Sequence, residues 1–256
     1  MRNQNRSSSA SRSTARAKTL RTTRKQLVRE LRAAGDPKRA ANLAWFFKTG
    51  KGEYAEGDRF IGIQVPVLRK IAHRFVELAH REIARLLASP VHEHRFVALE
   101  ILVAQYERGN EARRAEIFEF YLSHTRGINN WDLVDTCAPY IVGEHLRNRP
   151  RGLLDRLAAS PSLWERRIAI IATLALIRGG EIADTYRIAR KLLSDPHDLI
   201  HKAARWALRE TMRVSPDSLL DFLRKHYKSL PRTTLRYAIE RFPASQRKRL
   251  LAGRFR

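Results

Sequence analysis

An indole and a carboxylate fall four residues apart in the segment Asn129-Asn130-Trp131-Asp132-Leu133-Val134-Asp135. Asn130 has the side chain of a helix N-cap, and Asp132, in the first turn, is accounted for by the positive end of the helix dipole. Asp135 lies one turn deeper, on the face of Trp131, so a helix here projects the two side chains together. Two readings stay open for Asp135. It stabilises charge or orients a water among cations, or it makes an ordinary salt bridge to an arginine of the next helical unit.

A second segment, Leu163-Trp164-Glu165-Arg166-Arg167, puts two guanidinium groups near a helix start, where the dipole disfavours cations unless an anion docks. Phosphate binding accounts for the pair. Adjacent residues point about 100° apart, so one of them, Arg167 by alignment with Lys202, faces the anion. Arg166 then pairs with an acid such as Glu165 or meets solvent. Further along, Lys202, Trp206 and Arg209 form one helical stripe with cationic ends and an aromatic centre. Trp206 is either a groove residue or core, and the flanking cations favour the groove. Trp45 and Trp164 read as core. The candidate phosphate contacts are Arg166, Arg167, Lys202 and Arg209.

Other catalytic vocabulary is weak. His92 and His94 sit two apart on a helix and cannot converge on one metal, and there is no HExxH motif or cysteine cluster. Gly50, Gly52 and Gly57 lack P-loop spacing. Cys137 has no evident base beside it and reads as a small core residue. No metal and no cofactor are expected.

The elements that must position these groups are helices, because apolar residues recur three and four apart from Thr19 onward and strand-like alternation is scarce. The pattern breaks at Gly35-Asp36-Pro37, Thr49 to Asp58, Ser89-Pro90, Arg126-Gly127, Arg149-Pro150, Ser160-Pro161, Gly179-Gly180, Asp195-Pro196, Ser215-Pro216 and Leu230-Pro231. A Ser or Asp before Pro supplies an N-cap and then a first helical residue, so each such pair is expected to start a helix. Pro161, Pro196 and Pro231 lie 35 apart, and Pro90 lies 71 before Pro161, which leaves one unit hidden near Arg126. Such a repeat implies stacked helix pairs in a solenoid, here an all-α, HEAT-like one. Its inner wall is expected to collect Arg95, Trp131, Arg166, Arg167, Lys202 and Trp206, a basic groove with interleaved indoles suited to a nucleic-acid backbone and bases.

Composition agrees. The 256 residues carry 50 Lys or Arg against 26 Asp or Glu, a net charge of +24, so a polyanion is the first partner to consider. With 43% hydrophobic residues the chain can bury roughly 70 to 75% of its unfolded surface, which excludes wholesale disorder. The single Cys137 excludes an internal disulfide. The longest apolar stretch, Ile168 to Ile177, is too short to cross a bilayer. The first 29 residues hold nine Lys or Arg and no acid, and read as a disordered basic arm over residues 1–24 ahead of a single domain over 25–256. A transit peptide is the alternative for that arm, and a cytoplasmic protein the expectation without one.

At these positions the sequence resembles the DNA alkylation repair family of HEAT-like repeat glycosylases, the AlkD-like proteins. The pieces are FFKTGKGEYAEGDRFIGIQVPVLRK at Phe46 to Lys70, NNWDLVDTCAPYIVG at Asn129 to Gly143, LWERRIAIIA at Leu163 to Ala172 and HKAARWALRE at His201 to Glu210. The resemblance implies a helical solenoid, acting as a monomer, that clasps duplex DNA and hydrolyses the N-glycosidic bond of N3- and N7-alkylated purines. It puts the lesion-facing tryptophans on Trp131 and Trp206, the catalytic carboxylate on Asp135 and a phosphate-contacting arginine on Arg167. A non-catalytic protein binding damaged or branched DNA is the alternative. A protein scaffold of the same fold is a more distant one, since scaffolds need no such charge.

Overall fold

The computed structural model describes residues 23–255, and the basic arm read over residues 1–24 lies almost wholly outside them. Part of the acid-free stretch is helical: α1 (Arg24–Ala33) starts behind the Thr23 N-cap, whose side chain accepts from Gln26 N, and buries Leu27 and Leu31. The boundary read between residues 24 and 25 thus falls at the first residue of α1, a helix that Leu27 and Leu31, one turn apart, anchor to the rest.

The remaining helices are α2 (Pro37–Phe46), α3 (Val65–Arg74), α4 (His80–Leu87), α5 (His92–Arg108), α6 (Glu111–Ser123), α7 (Trp131–Ala138), α8 (Glu144–Leu146), α9 (Gly152–Ala158), α10 (Leu163–Arg178), α11 (Ala183–Lys191), α12 (Asp198–Thr211), α13 (Pro216–His226), α14 (Arg232–Ala238) and α15 (Ala244–Leu251). A π-helical turn, Pro139–Gly143, joins α7 to α8. Among the described residues there is no strand, only an isolated bridge between Arg59 and Val91. Helices α3, α5, α7, α10, α12 and α14 pack side by side in chain order, and α4, α6, α9, α11 and α13 form a second layer against them. This is the all-α helical repeat expected from the proline spacing.

Two helices of the first layer are buried nearly all round, α5 between His92 and Tyr106 and α10 from Arg167 to Ile177. Each buried Ile or Leu of α10 stabilises by about 2 kcal/mol, which explains why its sequence is apolar on every face. The π-helical turn packs on α10 so closely that a Cβ at Gly143 would overlap the Ala172 carbonyl oxygen.

The Ser/Asp-Pro pairs behave in two ways. Asp36 caps α2 and Ser215 caps α13, each with the following Pro as the first helical residue. At Ser89-Pro90, Ser160-Pro161 and Asp195-Pro196 the helix begins later, because the side chain accepts the backbone N–H two residues on, at Val91, Ser162 and His197. That turn precedes the helix and hands the cap to the next residue. The hidden unit begins α7 at Trp131, and a short 3₁₀ turn, Thr125–Gly127, occupies the place near Arg126.

Candidate active site

The start of α7 is set by Asn130, a fully buried residue whose Oδ1 accepts from Trp131 N at 2.8 Å. Trp131 and Asp135 then share a helix face, as their spacing requires. Asp135 is met by Arg167 of α10: Nε donates to Oδ1 at 2.9 Å and Nη2 to Oδ2 at 2.7 Å, while Nη1 donates to the Leu199 carbonyl at 2.6 Å. The Arg167 side chain is 5% exposed and that of Asp135 19%. Burial pushes the Asp135 carboxyl above its ordinary range, and the Arg167 fork opposes that push. Each carboxylate oxygen takes one N–H from Arg167 and keeps lone-pair capacity for a second partner.

The cross-repeat salt bridge anticipated for Asp135 is therefore present, and it does not remove Asp135 from the cavity. It does correct the expectation for Arg167. A guanidinium turned inward onto a carboxylate and a carbonyl positions Asp135 and does not present itself to a phosphate.

A cavity of about 460 Å³ opens in front of this pair. Its walls include Trp131, Trp206 of α12, Tyr54, Phe46 and Tyr237, and its cationic rim is Lys48, Lys202 and Arg205. Trp206 is half-buried and packs on the core while lining the cavity, so the two readings of it meet in one side chain. Lys202 pairs with Asp198 at 2.8 Å, but both are exposed, so the pair is weak and the ammonium stays available. Arg205 lies 5.0 Å over the Tyr237 ring and has no carboxylate partner among the described residues. Tyr54 reaches the cavity from the loop after α2, edge-on to Trp164 at 6.0 Å between centroids.

Several sequence expectations need correction. Arg95 is buried and donates to Asp58 at 2.6 Å and to the Ser89 carbonyl at 2.6 Å. Arg166 does the equivalent one repeat pair later, with Asp195 at 2.6 Å and the Ser160 carbonyl at 3.1 Å. Both clamp the turn before their own helix, so neither joins the groove wall, and the partner of Arg166 is Asp195, not Glu165. Arg209 is held by Glu240 at 2.9 Å and lies 4.3 Å over Tyr237, behind the rim. Trp45 is 75% exposed, because α2 buries none of its residues. Trp164 is half-buried beneath Tyr54 and is nearer to its expected core role. Asp132 reaches beyond its own helix, to His92 Nε2 at 2.8 Å. Cys137 is fully buried, burial pushes its thiol up, and its Sγ donates to Leu133 O at 2.8 Å, as a packing residue would.

The residues missed by sequence reasoning are Phe46, Lys48, Tyr54, Arg205 and Tyr237. Arg205 stands three residues after Lys202 and Tyr237 occupies the matching offset of the last repeat, so helical spacing held a signal for both. Tyr54 lies in an aperiodic loop that held none. Among the described residues no helix is long and apolar enough to cross a membrane.

No curated protein sequence matches the chain. Among solved structures, a predicted DNA alkylation repair enzyme from Enterococcus faecalis is similar in fold, with a TM-score of 0.64 over 82% of this chain and 97% of that one at 16% identity. The family model of the DNA alkylation repair enzymes matches residues 27–242, most of the length, and on that match the chain belongs to the DNA alkylation repair enzyme family.

Proposed function

We propose that the chain is a DNA glycosylase acting as a monomer on duplex DNA, hydrolysing the N-glycosidic bond of N3- or N7-alkylated purines. What supports the reading most is one cavity lined by two indoles, Trp131 and Trp206, and by the Asp135 carboxylate. An alkylated purine of this kind is cationic and leaves without being protonated, so the sugar develops oxocarbenium character. The enzyme then needs a fixed negative charge near the sugar and an ordered water, and Asp135 supplies both through its unused lone pairs. The indoles hold the cationic base and sugar by cation–π and packing contacts of about 0.5 to 2 kcal/mol each. Lys202 and Arg205 on the rim take the flanking phosphates.

The test is direct: purified protein is incubated with duplex carrying N7-methylguanine or N3-methyladenine, and free base is measured. Release establishes the glycosylase. A second reading, a non-catalytic binder of damaged DNA, is favoured by the engagement of both Asp135 oxygens by Arg167. Retention of the duplex without release would select it, and failure to retain DNA at all would remove both.

A further inference from the structure

Behind the cavity wall lies a cluster of ionisable side chains with no part in that mechanism. His92, the first residue of α5, is buried, with Nε2 2.8 Å from Asp132 Oδ2 and Nδ1 3.5 Å from Asp58 Oδ2. Asp58 Oδ2 also accepts from Arg95 Nη2 at 2.6 Å, and its Oδ1 from Asn129 Nδ2 at 3.3 Å. The loop after α2, the start of α5 and the start of α7 are thereby joined. Two carboxylates face one guanidinium, so the cluster is electrically balanced only when the imidazole is protonated. A neutral ring would also aim a lone pair at one of the two carboxylates. Burial opposes the charge, yet Asp132 and Asp58 outweigh it and hold the imidazole at about 9. Burial pushes Asp58 up as well, and His92 and Arg95 bring its carboxyl below the ordinary range.

The same ring lies in an aromatic stack. Phe60 covers it at 4.6 Å between centroids and Phe47 at 5.1 Å, and Phe47 in turn stacks on Trp131 at 5.2 Å with 22° between planes. His92 therefore reaches Trp131 by two routes, through Asp132, the next residue in the chain, and through Phe47.

We infer that His92, as a buried imidazolium, is a positioning residue that fixes the Trp131 indole at the cavity wall, tying the geometry of the site to a group the DNA never touches. The catalytic consequence rests on the glycosylase reading; the orientation of the indole does not. The charged and titratable groups facing the ring are Arg95 on its own helix, Asp58 from the loop and Asp132 from α7, while Tyr54 of the same loop interacts with the Trp131 indole itself. Burial raises the Tyr54 phenol above its ordinary value, so it ionises above His92. Glu93, next to His92, points away to accept from the backbone N–H groups of Ile61 and Gly62.

The experiment follows the Trp131 indole N–H resonance, assigned with Trp131→Phe, from about pH 7 to 10 in the free protein. In the wild type it shifts with a midpoint near 9, and in His92→Gln that step is absent. At neutral pH His92→Gln lowers kcat for base release about tenfold and leaves KM within about twofold. An indole that does not titrate in the wild type, or that titrates identically in His92→Gln, overturns the inference. The wild-type titration decides even if the variant fails to fold. An indole that titrates as expected in a protein that never releases base leaves the positioning role standing and removes the glycosylase.

Discussion

Asp135→Asn keeps the shape of the side chain and removes its charge. At an effective dielectric near 20, a carboxylate about 4 Å from a unit positive charge contributes about 4 kcal/mol, or roughly a thousandfold in rate. A sugar carrying only part of that charge brings the expected loss of base release to about 10²- to 10³-fold. Folding also suffers, since the buried Arg167 loses one of two forked acceptors, at 2.9 and 2.7 Å, and faces an amide N–H in its place. Breaking a buried pair costs about 3 to 5 kcal/mol. The amide oxygen still accepts one bond, which returns about 1 kcal/mol. The amide is also cheaper to bury than the carboxylate, whose charge burial opposes, which offsets a further part of the cost. The net loss is about 2 kcal/mol, a fall in Tm of about 4 to 8 °C. Duplex affinity stays within about threefold, because the variant loses a negative charge and no cation of the rim. Single-turnover release of N7-methylguanine, a filter-binding Kd and a thermal melt measure the three quantities. Release within tenfold of the wild type, at a temperature where both forms are folded, would refute the assignment of Asp135.

Trp206→Ala slows base release at least tenfold and costs about 1 to 2 kcal/mol of stability, because the indole is half-buried; a loss of activity tracking the melt would return Trp206 to the core. Lys202→Ala combined with Arg205→Ala lowers the slope of log affinity against log salt by about two, and an unchanged slope would take both residues off the phosphates. The His92 pKa is raised from 6.5 to about 9, so its contribution, on the order of 3 kcal/mol, is full below pH 6.5 and lost as pH climbs through 9. Denaturant unfolding of wild type and His92→Gln should therefore converge across that window, and parallel curves would contradict it. Gly143→Ala drives a methyl into the Ala172 carbonyl and lowers stability by about 2 kcal/mol, whereas an unchanged melt would show that the π-helical turn and α10 separate freely.

Local chemistry was legible in the sequence where it repeats. The three- and four-residue spacing of apolar positions and the 35-residue spacing of Pro161, Pro196 and Pro231 are enough for a helical repeat, and the four-residue spacing of Trp131 and Asp135 is enough for a shared face. What failed was pairing across repeats. Asp135 and Arg167 are 32 residues apart, and whether an arginine near a helix start faces a ligand or a neighbouring helix depends on stacking geometry that no local pattern carries. Arg95 and Arg166 were misplaced for the same reason: each closes on its own Ser-Pro turn, a contact invisible until that turn is seen to precede the helix. An indole in a helix is usually core, and Trp45 departs from that rule because α2 is a helix without a buried residue. Tyr54 and the partners of His92 come together from a loop and two helix starts, and their convergence is tertiary.

The placement of Arg167 resolves a conflict within the proposed function. A lone carboxylate at the floor of a DNA-binding cavity would repel the phosphates that the rim must attract. Paired with Arg167 it is neutral from a distance, since two opposite charges about 4 Å apart cancel for a phosphate several times farther away, beyond much of the screening length. At contact the cancellation is incomplete. A sugar about 4 Å from the carboxylate stands about 8 Å from the guanidinium behind it, so about 4 kcal/mol of attraction meets about 2 of repulsion. The wild-type pair thus stabilises a full positive charge by about 2 kcal/mol. In Asp135→Asn the attraction vanishes and the repulsion of the unmasked guanidinium stays, so the two forms still differ by the whole 4 kcal/mol. A double replacement, Asp135→Asn with Arg167→Gln, removes both charges and should recover about 2 kcal/mol of that difference, roughly thirtyfold in release over the single variant. If the double variant is no faster than Asp135→Asn, the guanidinium exerts no field at the sugar, and the masking argued for Arg167 is wrong.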